Sequence, residues 1–450
     1  MVSENNVSPT QQVRWRYLIE RVIAKLDLLV SNQLQLVMYH PAVKNLEASW
    51  YSLFCLVVEY TDKKNNIKIK LLNVSKKLLL KDLNYAIDFE NTILFDLVYN
   101  QEFDMPGGEP FSILIGDYSF STEQNDIYAL RILSQIAAAA FVPFVASAAP
   151  ALLGVEDFSD LGKQHNVSKV FQNSGYEAWH QLRAYEDSRF IGLTLPKRLL
   201  RNPHRHIKHE THGFCFRPSL SNKDSYLWGN TAYAFATILL RAFSTFGWLG
   251  QICGYDEQQQ GGYVPLMAND YFYSDTSSLA PKFGTDVYIS DQLEQELRQL
   301  GFIPLCQRYA SNKMIFYSNN AIQSINARSS QIEEKNFSIS TMLQYLLCAC
   351  RFAHYIKMIG RDKIGSYTDV EGCQAFLNSW LMNYVAGNSN LSPAQSARYP
   401  LRAAKVEIRE NPSKEKGNYL CVIYLKPHFQ IDEVITSLRF VTELSSGAGE

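Results

Sequence analysis

The sequence predicts a mixed α/β (α+β) protein of two domains, on three observations. Residues 102–154 read as a turn-rich loop (Pro106, Gly107, Gly108, Pro110), an apolar run at 111–115, a helix at 126–140 and a second apolar run at 141–148 closed by Pro150 and Gly154. Strand, helix, strand within about forty residues is the grammar of an α/β layer. At 450 residues the chain exceeds the length at which one core usually stops growing. Past residue 404 the pattern changes to consecutive strands, which marks a second unit.

The elements follow in order. Residues 1–12 are polar, and 14–40 carry Ile19, Val22, Ile23, Leu26, Leu29, Val30, Leu34 and Val37 as a stripe on one helical face, broken by Pro41. Residues 46–58 repeat the pattern through Trp50, Leu53, Phe54 and Val57. Residues 67–74 alternate at first and fit a strand, and Ser75 can cap the helix that follows through Leu79, Leu83 and Ile87. Within 126–140, Ile127, Leu130, Leu133 and Ile136 recur at helical spacing and the alanines at 137–140 leave room for close packing. Residues 176–185 read as helix and 190–195 as a strand ended by Pro196. Residues 230–246 form an apolar helix stopped by Gly247, and 291–300 a short one with Glu294 placed for a capping box and Gly301 as its stop.

The polar segment 326–337 is the expected boundary, giving an N-terminal arm and helix (1–40), an α/β domain (41–325) and a C-terminal domain (338–446). The last opens with helices at 338–359 and 369–385, rich in aromatics, and ends in strands at 404–409, 419–425 and 434–444. In the final strand Val434, Thr436, Leu438, Phe440 and Leu444 share one face, and apolar residues occupy the other face too. A strand covering one core should be polar on its second face, so this one is expected to pair across subunits, with His428 and Phe429 just after the preceding strand.

A formal charge of -1 gives no electrostatic reason to expect nucleic acid or an anionic membrane as partner. Eight scattered cysteines and no recognisable signal peptide point to a reducing cytoplasm. The weakly hydrophobic 132–155 is broken by Pro143 and Pro150 and does not read as a membrane span.

No Walker A, HExxH, GxSxG or GxGxxG pattern is present, and no catalytic constellation or cofactor is expected. The sharpest alternative is a metal-dependent α/β enzyme using the loop 204–212, where His204, His206, His209 and His212 crowd together near Glu210 and Cys215. Asn202, Pro203 and Gly213 make that segment a surface loop, where histidines are tolerated freely, so no metal site is expected.

Nine stretches resemble, in order, the large subunit of the bacterial type VI secretion contractile sheath, the TssC/VipB family. They are Leu46-Glu47-Ala48-Ser49-Trp50 with Leu53, IKIKLLNVSK at 67–76, Gly107-Gly108-Glu109-Pro110, the run 146–154, EDSRFIGLTLP at 186–196, YLWGN at 226–230, GFIPL at 301–305, RFAHY at 351–355 and KPHF at 426–429. The resemblance covers residues 22–444 and implies a contractile-tail-sheath-like fold with mixed sheets, flanking helices and terminal strands for inter-subunit pairing. It also implies a structural, non-enzymatic, cytoplasmic subunit. Such a subunit forms a heterodimer with the small sheath subunit (TssB/VipA-like), polymerises with itself around the inner Hcp tube, is released by the baseplate and is recycled by the ATPase ClpV. Members of the family usually carry a longer arm before the first helix than residues 1–12 here, so that arm's share in linkage and ATPase contact is not carried over. The apolar stripe containing Ile19 and Val22 is expected to need a partner, and replacing Gly107 and Gly108 with valine to prevent folding.

Overall fold

The computed structural model describes residues 9–60, 67–163, 166–204, 214, 216, 225–255, 261–268, 283–308, 311, 313–324, 340–363, 370–386, 391–410, 418–428 and 438–445. The chain opens with two helices, α1 (Pro9–Met38) and α2 (Pro41–Tyr60). Helix α3 (Lys76–Tyr85) starts where expected, Ser75 accepting from the Leu78 amide. The expected strand at 67–74 is corrected: among the described residues the segment forms no strand and belongs to no ladder.

The central layer is a six-stranded sheet in the order β1-β2-β3-β7-β8-β6. Its strands are β1 (Leu114–Phe120), β2 (Phe144–Ala148), β3 (Ile191–Leu195), β6 (Tyr263–Pro265), β7 (Phe302–Gln307) and β8 (Lys313–Phe316). The first four neighbours run parallel, and β8 then pairs antiparallel with β7 and β6. A separate hairpin pairs β4 (Arg198–Arg201) with β5 (Leu227–Gly229). Strand β1 lies later than the expected 111–115: its register opposes Leu114 to Phe144 and Ile115 to Val145, shifts across 116–118, and resumes at Ser119 opposite Ser147. A Cβ at Gly116 would stand 2.5 Å from the Phe144 ring, so glycine lets that ring lie across the strand.

Helices cover both faces, as parallel strands require. α4 (Gln124–Ala139), α5 (Glu177–Ala184) and α7 (Asp291–Gln299) bury Leu130, Trp179 and Leu297 with Phe302 and Phe144 on one side. α6 (Thr231–Phe246) and the start of α8 (Leu343–Lys363) bury Phe235 and Leu346 with Ile303 and Val145 on the other. Neighbouring residues therefore enter opposite cores, as the pleat dictates. Asn230 caps α6 and Gly247 ends it at φ +76°. Ser290 caps α7 through the Leu293 amide. Glu294 makes no capping box: it lies one position too far along and accepts from Ser318 Oγ at 2.6 Å instead.

The C-terminal body has its own core, in which α8 and α9 (Val370–Met382) pack Phe352, Ile356, Leu377 and Leu381 against a three-stranded sheet ordered β11-β10-β9. Its strands are β9 (Leu401–Glu410), β10 (Asn418–Pro427) and β11 (Leu438–Ser445), all antiparallel. The expected boundary at 326–337 lies outside the described residues.

Candidate assembly interface

Three regions stand out among the described residues. The first is the helical pair. Helix α2 is tied to the body by polar contacts: Arg201 grips Glu47 with Nε at 2.7 Å and Nη2 at 2.9 Å, and Ser49 Oγ donates to Asp117, which also receives Asn230 Nδ2 at 3.2 Å. Helix α1 is 30 residues long, and of its described residues only Ser31 is buried. Ile19 and Val22 are 55% and 56% exposed, beside equally open Ile23, Leu26 and Leu29. Trp50, Phe54 and Val58 extend this surface along α2. A contiguous apolar face of that extent is uncommon on a monomeric soluble protein.

The second is the C-terminal sheet, whose two edges differ. Along β9, the Asn378 side chain accepts from Val406 N at 2.8 Å and donates to Val406 O at 3.1 Å, and Gln374 Oε1 accepts from Ile408 N at 2.9 Å. Gln374 and Asn378 stand four apart on α9, hence on one helical face, and imitate a fourth strand. Among the described residues strand β11 pairs only with β10 and forms the opposite edge. Phe440 and Leu438 stand opposite Ile423 and Leu425, whose side chains are buried, and Leu444 stands opposite Tyr419. His428 closes the preceding strand, its amide donating to Pro400 O at 3.0 Å, and burial pushes its imidazole pKa down. Val434, Thr436 and Phe429 lie outside the described residues.

The third is the joint between the bodies, which sequence reasoning missed. On α8, Lys357 pairs with Asp104 at 2.9 Å and lies 3.7 Å from the Phe103 ring centroid, while Arg361 donates to Asp104 O at 2.8 Å. His354 reaches Ala140 O at 3.0 Å, and burial pushes its pKa down to about 4. Asp104 ends an irregular turn, Asp96–Asp104, of π-helical hydrogen bonding that no hydrophobic period announces.

Of the histidine loop only His204 is described, half-buried with its ring 6.3 Å from Phe216 and its pKa pushed down by burial. His206, His209 and His212 fall outside the described residues, as do Glu210 and Cys215. Among the described residues no cluster of three metal-ligating side chains occurs, and no helix is long and apolar enough to cross a membrane.

Comparison with known proteins agrees with this picture. The family described as EvpB/VC_A0108, tail sheath N-terminal domain, matches residues 20–323, and its tail sheath gpW/gp25-like domain matches residues 332–444. The type VI secretion system sheath protein TssC1 of Pseudomonas aeruginosa is 34% identical over 436 residues, covering 95% of this chain and 86% of that protein. With both sheath domains matched in order, the chain belongs to the large-subunit family of the type VI secretion contractile sheath and is a structural subunit of that sheath.

Proposed function

We propose that this subunit pairs with the small sheath subunit through the α1–α2 face, with Ile19 and Val22 at the contact, and that the pairs link into a tube through the C-terminal sheet. The sealed β9 edge and the open β11 edge carry this reading. A sheet with one closed edge accepts a neighbour's strand in one direction only, which is what a polar polymer needs. Val434, Thr436, Leu438, Phe440 and Leu444, with His428 and Phe429 beside them, form the linkage.

In this reading residues 1–40 serve as arm and helix, 41–325 as the outer body and 338–446 as the linking body. The tube encloses an Hcp-like inner tube in the bacterial cytoplasm, a baseplate releases it, and an ATPase such as ClpV recycles it. The subunit itself does no catalysis. Contraction draws on interfaces whose free energies differ between two lattices, with strand joints holding neighbours together as the bodies slide.

The test is electron microscopy of the co-expressed pair, full-length and lacking residues 434–450. The full-length pair should form tubes and the truncated pair a heterodimer without tubes. Tubes from the truncated pair would rule out the linkage, and loss of the heterodimer would assign the strand to the subunit's own core.

A further inference from the structure

The central sheet ends in β6, where arginines occupy the main-chain carbonyls that face away from the sheet. Among the described residues β6 pairs only with β8, Tyr263 opposite Ile315, Val264 opposite Met314 and Pro265 opposite Lys313. Phe316 N donates to Gly262 O at 3.0 Å, so Gly262 and, two residues on, Val264 turn their main-chain groups toward β8. Successive residues alternate in this respect, so Tyr263 and Pro265 turn theirs outward.

Both outward carbonyls are met. Arg241 Nη2, from α6, donates to Tyr263 O at 2.6 Å and to Gly261 O at 2.8 Å, and its guanidinium lies 5.6 Å from the Tyr263 ring centroid. Arg198 Nη2, from β4, donates to Pro265 O at 2.8 Å. Pro265 itself has no N–H to offer. The sheet's other edge is treated alike on a smaller scale: Phe120 O accepts from Ala149 N at 2.8 Å and so faces β2, while Ser119 O, facing away, takes Lys76 Nζ at 2.7 Å. A strand adding to an edge must donate into its outward carbonyls and accept from its outward N–H groups. At β6 the carbonyls are held by charged donors, whose hydrogen bonds are stronger than an incoming amide's, and one N–H position is proline. Two arginines from separate elements, converging on consecutive outward carbonyls beside a proline, make an edge closed to addition.

We propose that Arg241, with Arg198 and Pro265, guards the β6 edge against strand addition by a neighbouring subunit, so that strand linkage is confined to the C-terminal sheet. The confinement rests on the linkage reading above, and the guard rests on β6 alone. Many copies of one chain are held side by side in a tube, where any open edge meets a neighbour at high local concentration. A second open edge would let the central sheet capture the strand meant for the C-terminal one, and the polymer would branch.

The experiment compares Arg241→Met with Arg241→Lys in the co-expressed pair, with and without residues 434–450. Methionine keeps an unbranched stem and loses every donor, whereas lysine keeps a charged donor for Tyr263 O. On sizing, the truncated Arg241→Met pair should assemble beyond the heterodimer at concentrations about tenfold or more below those the parent truncated pair needs, and the Arg241→Lys pair should behave as the parent. In the assembled form the Tyr263 amide should exchange about tenfold or more slowly, since an added strand accepts from it, while amides across 302–307 and 313–316 keep their parental protection. An Arg241→Met pair that stays heterodimeric overturns the guard. So does assembly with protection lost across 302–316, which marks a folding defect, and assembly with the Tyr263 amide at its parental rate, which puts the new contact elsewhere. If the parent truncated pair itself forms tubes, the linkage reading falls, and the Tyr263 amide of the full-length pair still decides the guard: slowed by Arg241→Met and not by Arg241→Lys, the guard stands; unchanged in both, it falls.

Discussion

A methyl group on Gly108 would stand 2.4 Å from the Glu102 carbonyl oxygen and 2.9 Å from its carbon, both main-chain atoms that cannot swing aside. Gly107 is the opposite case: it sits at φ +81° with open space around its missing Cβ. Gly107→Ala should therefore cost about 1–2 kcal/mol of left-handed strain, and Gly108→Ala more, through displacement of the 101–102 backbone. Denaturant midpoints of the co-expressed pair would order the two. Titration separates two further residues. Burial puts the His354 pKa at about 4 against an ordinary 6.5, so between those values the unfolded chain binds the extra proton. Stability from this group is full above pH 6.5 and drains as pH falls toward 4, by at most about 3 kcal/mol. His354→Gln, whose amide can still donate to the Ala140 carbonyl, should flatten that acid slope. Asp286 runs the other way: burial raises its pKa from 3.8 to about 7, so its contribution is full below pH 3.8 and is lost as pH rises through 7. Its Oδ1 accepts from Lys197 N at 3.0 Å, a bond that asparagine keeps. Asp286→Asn should raise the denaturant midpoint at pH 8 and leave it unchanged at pH 4.

Among the elements, the edge seal on β9 makes the sharpest prediction. The double variant Gln374→Ala, Asn378→Ala removes the partners of Val406 N, Val406 O and Ile408 N, each bond contributing about 1 kcal/mol. The amides of Val406 and Ile408 should exchange faster, and tubes should give way to irregular aggregates as two edges become available for pairing. Regular tubes from the variant would show that the seal serves folding alone. The amide spacing 374/378 was present in the sequence, but nothing there said that a strand edge would lie beside it. Helices α4, α6 and α7 were legible because local signals fix them: apolar period, the Asn230 cap, and the stops at Gly247 and Gly301. Strands β6 and β8 were not, since three or four residues carry too little period and owe their pairing to distant partners. The GFIPL run carries a family resemblance but no alternation, because Phe302–Gln307 is buried throughout as a central strand. The face bearing Ile19 and Val22 was legible as a stripe, whereas the joint at Asp104 depends on tertiary placement of α8 and left no pattern to read.

At the scale of the whole molecule, the body is finished and its N-terminal helix is not. Helix α1 spans about 45 Å at 1.5 Å per residue, yet its described apolar residues from Val13 to Val37 are open to solvent and only Ser31 is buried. Burying one such aliphatic side chain yields about 1.5–3 kcal/mol, so covering several at once outweighs the cost of association. This chain alone should aggregate and co-expression with the small subunit should rescue it, since a partner that binds only the folded form stabilises it by mass action, by about 2.7 kcal/mol at a hundredfold excess over Kd. The variant Ile19→Asp, Val22→Asp separates this from a folding defect. Both side chains are more than half exposed and belong to neither core of the central sheet, so charge there should leave hydrogen exchange across 114–316 unchanged while the small subunit no longer co-purifies. A stable wild-type monomer, or a variant that still retains the small subunit, would move the heterodimer contact away from α1.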